Sequence, residues 1–318
     1  THVSADWDCY WCNQVPGFKW VSNFGNASSP GFGYIGYLND VVYVVLRGTD
    51  DTVGWIADFK FFKVPYKGDA ANGEVHEGFY DTYNKLSPAI LSDVDKALTA
   101  CGDCKVRVTG HSLGAGLSVF ASLDINDHLG NPPTLYNFGQ PRVGDKTFAE
   151  YTSARLPSMW RMVWKRDPVP HLPPEAFGYI SPAIELWFHG FPDDKYQACG
   201  AGDIKNGCAN TLDFFDPLDH GLYQHIDILK GVPHGCLYTD PQKLSAFFPG
   251  LKASGHDGTT VGGSGSSSPP HRAAAIALVT VGAVVFAAAL VAVALVWRRQ
   301  KRRATMHVEL GTPYVRMQ

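Results

Sequence analysis

Short apolar runs and longer amphipathic segments alternate along the first 250 residues of the chain. Gly33–Leu38 and Val41–Leu46 are two apolar runs separated by Asn39-Asp40, a spacing that is typical of two strands joined by a two-residue hairpin. Glu77–Ala100 carries its apolar residues at helical spacing instead. We therefore predict one long helix at that position.

Strands and helices then alternate. The predicted order is a strand at Val106–Thr109, a helix at about Leu113–Asp124, a strand at Leu135–Phe138, a helix near Lys146–Leu156 and a strand at Trp160–Trp164. This order predicts an α/β fold with helices packed on a sheet. In such sheets functional groups collect at the carboxyl ends of the strands.

A different hydrophobic pattern occupies Ala273–Trp297, which is 25 residues without a charged side chain. As a helix this segment is about 37 Å long, enough to cross a hydrocarbon core of about 30 Å. Five Lys and Arg residues follow within 298–303, whereas only Arg272 precedes. The positive-inside bias predicts a single-pass membrane protein with residues 298–318 in the cytoplasm and residues 1–272 outside the cell or in a lumen. A GPI-anchor signal would end in its hydrophobic stretch and carry no basic tail.

The remaining residues divide into a domain and a linker. Residues 251–272 are rich in Gly and Ser and predict a flexible tether, whereas residues 1–250 show no comparable break and are interpreted as one domain. Of the 27 Lys and Arg and 30 Asp and Glu residues, eight basic and two acidic ones lie in 251–318, which leaves residues 1–250 with a net charge of −9. Such a domain is a poor binder of polyanions, so a nucleic-acid partner is not expected.

Seven cysteines fit an oxidising compartment. They form three closely spaced pairs and one remainder: Cys9 with Cys12, Cys101 with Cys104, Cys199 with Cys208, and Cys236. The two CxxC pairs lie too far apart for a zinc ribbon, so we expect local disulfides and no metal. Asn26 begins an Asn-Ala-Ser sequon and is a candidate glycosylation site. A lumenal domain requires a signal peptide and none is visible, so we expect the numbering to begin after processing or within a fragment.

The sharpest chemical signal is Gly110-His111-Ser112-Leu113-Gly114. It directly follows the strand that Lys105–Thr109 predicts, and it opens into a helix rich in small residues. This is the context of a nucleophile elbow, in which flanking glycines permit a tight strand-to-helix turn that projects the serine hydroxyl above the sheet. We therefore expect Ser112 to be a nucleophile.

A nucleophilic serine needs a base, and the base needs an orienting acid, which should follow the serine in the order acid and then histidine. Asp167 comes directly after the predicted strand Trp160–Trp164, where such an acid would lie. Other candidate acids are Asp145, Asp213, Asp216 and Asp219. For the base, His220 and His225 are nearly equivalent on this reasoning, and His189 and His234 are less attractive.

Further motifs occur in one order along the chain. They are Trp7-Asp8-Cys9-Tyr10-Trp11-Cys12, Leu46-Arg47-Gly48-Thr49, Gly54-Trp55-Ile56-Ala57-Asp58, Val75-His76-Glu77-Gly78-Phe79, Tyr136–Gly144, Asp167–Pro174 and Phe177-Gly178-Tyr179. This set resembles the motifs of the class 3 (fungal-type) lipases over nearly all of residues 7–236. The resemblance implies an α/β-hydrolase-type sheet with flanking helices.

The same resemblance assigns roles to individual residues. The family's catalytic histidine precedes two residues and a tyrosine, a pattern that selects His220 over His225. It implies a Ser112–Asp167–His220 triad that needs no metal or organic cofactor. It also implies an oxyanion hole formed by the backbone N–H groups of Thr49 and Leu113.

The resemblance also covers a lid and two disulfides. Gly54–Asp58 resembles the family's lid segment, and the lid candidate extends over Asp50–Tyr66. Trp55 and Ile56 within it are expected to cover the site in water, whereas Phe59–Val64 is alternatively an edge strand over the core. Cys9–Cys12 and Cys199–Cys208 match bridges of the family, whereas Cys101–Cys104 looks like a local addition. The family's last cysteine pairs with one upstream of the first motif, so the partner of Cys236 is expected before Thr1.

The chain departs from the family pattern at one position, and alternative functions remain open. Tyr223-Gln224 stands where the family usually has Tyr-Phe, so packing behind the histidine is expected to differ. The resemblance implies a carboxylic ester hydrolase that acts on acylglycerols at a lipid interface. A phospholipase A1 and a feruloyl-type esterase of the same fold are the alternatives, and the apolar lid favours a lipid substrate. A catalytically dead, membrane-anchored lipid-binding protein is the alternative of another class, although it should have lost a triad member.

The predicted cytoplasmic tail contains one further motif. Tyr314 and Met317 fit the pattern of a tyrosine, two residues and a bulky apolar residue, which is typical of an endocytic sorting signal. Binding to a sorting adaptor through this motif would route the protein to endosomes or lysosomes.

Overall fold

An eight-stranded sheet is the framework of the computed structural model, which describes residues 12, 15–26, 31–49, 61–182, 184–190, 195–200, 208–212, 215–223, 226–227 and 237–238. The strands in chain order are β1 (Lys19–Gly25), β2 (Phe32–Leu38), β3 (Val41–Leu46), β4 (Lys63–Pro65), β5 (Glu74–His76), β6 (Lys105–His111), β7 (Thr134–Phe138), β8 (Met159–Trp164), β9 (Ile184–Phe188), β10 (Tyr196–Cys199), β11 (Leu222–Tyr223), β12 (Ile226–Asp227) and β13 (Leu237–Tyr238). The large sheet has the order β1-β2-β3-β6-β7-β8-β9-β10.

The centre of this sheet is parallel and its two ends are antiparallel. Strands β3, β6, β7, β8 and β9 run in one direction, so their carboxyl ends meet at one edge. Strands β2 and β3 form the predicted hairpin, in which Asn39 takes a left-handed φ of 52°. Strands β4 and β5 form a separate pair. The predicted α/β sheet is confirmed, and β1, β9 and β10 are additional strands that sequence reasoning did not predict.

Among the residues that the structure describes, four α-helices accompany the sheet: α1 (Glu77–Asn84), α2 (Ser87–Cys101), α3 (Leu113–Leu129) and α4 (Lys146–Arg155). The prediction of one helix over Glu77–Ala100 is wrong, because the segment is two helices. Pro88 is the reason, since its ring lacks an N–H donor and would clash with the carbonyl group of Asn84 in a continuous helix. The other two predicted helices are confirmed within a turn or so, and Gly130 ends α3 in a left-handed conformation.

The main core lies between the sheet and these helices. Helix α2 packs against β1, β2 and β3, and α3 packs against β3, β6 and β7. Twelve of the 17 residues of α3 are buried, so this helix is enclosed on nearly all sides. A smaller apolar cluster contains Met162, Trp164, Phe188 and Tyr223. It brings β8 and β9 together with the short β11.

Two predicted disulfides are present: Cys101–Cys104 at the end of α2 and Cys199–Cys208 after β10. Cys12 is buried and disulfide-bonded, whereas Cys9 and Cys236 lie outside the described residues. Asn26 is exposed.

Residues 251–318 also lie outside the described residues, and with them the predicted tether, span and tail. Within the part of the chain that the structure describes, no helix combines the length and apolar character needed to traverse a bilayer.

Candidate active site

Ser112 lies in a strained turn between β6 and α3. Its φ of 57° and ψ of −126° are unusual for a residue with a side chain, and two glycines make the turn possible. A Cβ built at Gly110 would lie 2.4 Å from the carbonyl carbon and oxygen of Gly114, and one built at Gly114 would lie 2.2 Å from the carbonyl oxygen of Leu46. Neither position accepts a side chain. The turn therefore has the geometry of a nucleophile elbow.

The loop that carries Thr49 lies beside this elbow. Leu46 is in register with Gly110 across the parallel pair β3–β6, so Thr49 and Leu113 each lie three residues beyond paired positions. A Cβ built at Gly48 would come within 3.3 Å of the Ser112 Cβ. The sheet therefore brings together the two segments that carry the expected oxyanion donors.

Asp167 lies just beyond β8 and is fully buried. Its Oδ1 accepts a hydrogen bond from the backbone N–H of Val169 at 2.8 Å. The Tyr223 hydroxyl donates to Oδ2 and accepts a hydrogen bond from the backbone N–H of Trp164 at 3.4 Å. These partners fix the carboxylate in one orientation.

His220 lies in the short turn Pro217–Gly221, and its Nδ1 is 2.9 Å from both carboxylate oxygens of Asp167. His220 and Ser112 are both buried, and within the described ranges neither His220 Nε2 nor Ser112 Oγ has a hydrogen-bond partner. The histidine therefore has one nitrogen bound to an acid and the other without a proton acceptor or donor. Nε2 is therefore the nitrogen of His220 that remains available to accept a proton.

Gly139 is a site residue whose role sequence reasoning did not identify. It follows β7 with a φ of 57°, and a Cβ there would lie 2.8 Å from Asp167 Oδ2 and 2.9 Å from His220 Cε1. Any larger residue would push apart the acid and the histidine. The sequence feature that indicates this role is the position of Gly139 directly after a strand, at the carboxyl edge of the sheet.

The electrostatics of the site favour an ionised acid. Burial by itself raises the pKa of Asp167, but the charge of His220 and hydrogen bonds from His220, Tyr223 and Val169 outweigh it and hold the pKa below its ordinary value. Burial and the neighbouring Asp167 raise the pKa of the Tyr223 hydroxyl well above 10. Near neutral pH the protonated Tyr223 hydroxyl therefore donates to an ionised Asp167 carboxylate.

The other candidate acids that the structure describes make structural hydrogen bonds. Asp145 caps α4 by accepting from the backbone N–H of Phe148, and Asp216 caps the turn that carries His220. Asp219 accepts from the backbone N–H of Arg166. Asp213 lies outside the described residues, as do the rival histidines His225 and His234, and also Trp55 and Ile56 of the expected lid.

Among the described residues, one group has the spacing of metal ligands, namely Glu185, Cys199 and Cys208. Its two cysteines are joined in a disulfide, so their sulfur atoms are not thiolates. Glu185 instead pairs with Arg161 at 3.0 Å and accepts from the backbone N–H of Ala209. The group is therefore a structural one.

Comparison with known proteins finds fungal lipases. The family model "Lipase (class 3)" matches residues 43–177. A lipase from Rhizomucor miehei is 32% identical over 226 residues, which are 69% of this chain and 62% of the relative. A secreted mono- and diacylglycerol lipase from Fusarium solani is 34% identical over 54% of this chain and 51% of the relative.

A solved structure of the Rhizomucor miehei triacylglyceride lipase superposes with a TM-score of 0.65 at 30% identity, covering 70% of this chain and 86% of that one. The chain spans about three fifths of the length of the first relatives that it matches in sequence.

Proposed function

Because the chain belongs to the class 3 lipase family, we propose that it is a serine ester hydrolase that cleaves acylglycerols through Ser112, Asp167 and His220. The observation that carries the proposal is the buried His220–Asp167 pair, whose second histidine nitrogen lacks a hydrogen-bond partner among the described residues, as does the Ser112 hydroxyl. A dead lipid-binding protein on the same fold would have no need to keep this arrangement in a strained, buried site.

The proposed reaction uses these residues in the following steps. His220 takes the Ser112 proton as the hydroxyl attacks the ester carbonyl, while Asp167 holds the imidazole in the required tautomer and stabilises its cation. The backbone N–H groups of Thr49 and Leu113 receive the oxyanion, and one such donor contributes about 3–4 kcal/mol to the transition state. His220 then protonates the leaving alcohol, and water resolves the acyl-enzyme.

The triad is tested by substitution in the full chain. Ser112→Ala and His220→Ala should each reduce turnover of a short-chain ester to near background. Ser158→Ala is the matched control, because Ser158 is exposed in the turn before β8 and should keep full activity. His225→Ala should retain more than a tenth of the activity. An inactive His225→Ala beside an active His220→Ala would show that the base is misassigned.

The substrate class is proposed from the family and the lid segment. The lid residues Trp55 and Ile56 expose apolar surface only when a lipid phase is available to receive it. Activity per molecule should therefore rise abruptly as a short-chain ester passes its solubility limit. A smooth saturation curve through that limit would instead favour an esterase for soluble esters.

A panel of substrates tests which class of ester the enzyme cleaves fastest. Tri-, di- and monoacylglycerols should be hydrolysed faster than a phospholipid or a feruloyl ester, with Ser112→Ala as the blank in each case. The name of the Fusarium solani relative makes partial glycerides the first substrates to compare. Preferential release of fatty acid from phospholipid would support a phospholipase A1 instead.

The C-terminal segments extend the proposal to a membrane-anchored enzyme. Residues 1–250 form the extracellular or lumenal catalytic domain, 251–272 the tether, 273–297 the transmembrane helix and 298–318 the cytoplasmic tail. A 22-residue Gly/Ser-rich tether has a root-mean-square reach of about 26 Å, which confines the domain near its own bilayer. The full chain reconstituted in liposomes should then hydrolyse lipid of its own vesicles in preference to lipid of added, protein-free vesicles. Equal hydrolysis of both vesicle populations would contradict this role of the tether.

The motif at Tyr314 and Met317 adds a proposed contact with a sorting adaptor, and Asn26 a proposed glycan. Tyr314→Ala should slow internalisation of the full chain from the cell surface. Asn26→Gln should remove an endoglycosidase-sensitive increment in mass.

A further inference from the structure

His111 precedes Ser112 in the elbow, and the reaction described above gives it no part. Its Nε2 lies 2.8 Å from the backbone carbonyl oxygen of His220. A carbonyl oxygen can only accept a hydrogen bond, so Nε2 carries the proton and Nδ1 carries the lone pair. The tautomer of His111 is therefore set by the backbone of the base.

The ring of His111 also lies against the site on more than one side. Its centroid is 4.5 Å from that of His220, with 31° between the planes, and 5.6 Å from that of Tyr223. Towards the loop after β3, a Cβ built at Gly48 would lie 2.9 Å from the His111 carbonyl oxygen and 3.5 Å from its Nδ1. His111 thus fills the space between the base and the segment that leads to Thr49.

His111 is uncharged, which is compatible with its position beside His220. Burial and then the nearby His220 lower the pKa of His111 to about 3, so its ring is neutral near neutral pH. A second positive charge beside His220 would oppose the imidazolium that forms when Ser112 attacks. Of the two adjacent imidazoles, only one is therefore available to take the proton.

We infer that His111 is a positioning residue for the base: its Nε2–H bond to the His220 carbonyl and its ring contact together hold the His220 imidazole beside Ser112. This inference rests on the proposed function. It assigns His111 no contact with substrate, so its loss should affect the chemical step and leave substrate binding unchanged.

The test separates the two contacts. His111→Gln retains a side-chain N–H donor of suitable reach and removes the ring, whereas His111→Phe retains a ring and removes the donor. With the full chain and a soluble short-chain ester, His111→Phe should lower kcat by about tenfold or more at unchanged KM, because small misplacements of a catalytic group are costly. His111→Gln should recover part of that loss. The low-field proton NMR signal of the His220 Nδ1–H should shift in the Phe variant and stay near its wild-type position in the Gln variant.

Matched controls come from a second histidine, which lies at the end of helix α3 that is far from the elbow. His128 is partly exposed near the end of α3 and pairs with Asp95 at 2.9 Å, so His128→Phe and His128→Gln should have wild-type kcat and the wild-type NMR signal. If His111→Phe does not fold, His111→Gln is compared with His111→Asn, whose shorter amide cannot reach the carbonyl and should be the less active.

Wild-type kcat in His111→Phe would overturn the inference. Equal kcat in the Gln and Asn variants would also overturn it. The inference would fail as well if kcat fell only in proportion to Tm across the variants while the NMR signal of His220 stayed unchanged. Failure of the proposed function is a separate result, since Ser112→Ala would then remain active.

Discussion

The glycine at the start of α3 gives the most direct quantitative test of the elbow. A Cβ at Gly114 would lie 2.2 Å from the carbonyl oxygen of Leu46 and 2.7 Å from the carbonyl carbon of Arg47. Ordinary contact begins at 3.4 Å, so the helix and β3 must separate by about 1.2 Å in Gly114→Ala. Both obstructing atoms belong to the backbone, and no side-chain rotation relieves the overlap.

The expected cost follows from this overlap. Overpacking typically destabilises by about 1–3 kcal/mol, and the better helix propensity of alanine returns about 1 kcal/mol. Because the overlap is with backbone atoms, we take the upper end of the overpacking range, about 3 kcal/mol, and hence a net loss of about 2 kcal/mol. This loss lowers the Tm of a domain of this size by about 4–8 °C. Because Leu113 moves with the helix, kcat should fall by about 100-fold, the loss expected for a displacement of about 1 Å.

Gly116→Ala is the control two residues along the same helix. Its Cβ would meet side-chain atoms of Pro141, Val143 and Phe79 at 3.4–3.6 Å, which is ordinary contact. This variant should be as active as the wild type and more stable by up to about 1 kcal/mol. Activity is measured on a soluble short-chain ester and stability by thermal unfolding. Wild-type kcat and Tm in Gly114→Ala would refute the role given to the close approach of α3 and β3.

Three further predictions concern the acid and the buried ion pair. Tyr223→Phe removes one hydrogen bond to the Asp167 carboxylate and should lower kcat by about tenfold, since bonds to charged groups contribute about 1.5–3 kcal/mol and other donors to Asp167 remain; an unchanged kcat would remove Tyr223 from the site. The pKa of Asp167 is lower in the folded protein than its ordinary 3.8, so its carboxylate stabilises the fold above about pH 4 and loses this effect as the pH falls through the folded value. Chemical unfolding should therefore show Asp167→Asn to be less stable than the wild type at pH 7, with a smaller difference at pH 3, and a constant difference would contradict the linkage. Arg161→Met leaves Glu185 buried without its partner and should cost about 3–5 kcal/mol, whereas the double variant with Glu185→Leu should recover most of the loss.

The sequence predicts those elements whose stability depends on residues close to one another in the chain. Strands β2, β3, β6, β7 and β8 are apolar runs, and their pattern is sufficient to locate them within two residues. Strand β9 is different, because its buried Glu185 interrupts the apolar pattern. Arg161 on β8 and the backbone N–H of Ala209 make that position acceptable, and neither partner can be identified from the local sequence.

The same distinction separates the parts of the site. The elbow is a local structure, so Gly110, Ser112 and Gly114 could be interpreted from five consecutive residues. The proposed base is not local, because His220 pairs with Asp167, which lies 53 residues earlier in the chain. Spacing alone therefore left His220 and His225 equivalent, and the family motif was needed to choose between them.

The sequential strand order has a consequence for the protein while it is being made. Apart from the separate β4–β5 pair, each strand of the large sheet joins one that precedes it in the chain, so the sheet can extend as synthesis proceeds. His220 follows the last of these strands, 108 residues after Ser112. At about 5–20 residues per second, a ribosome needs about 5–20 s to cover that interval. During this time the nascent chain carries Ser112 without His220, so the proposed triad cannot form and the chain cannot cleave an ester by the proposed reaction.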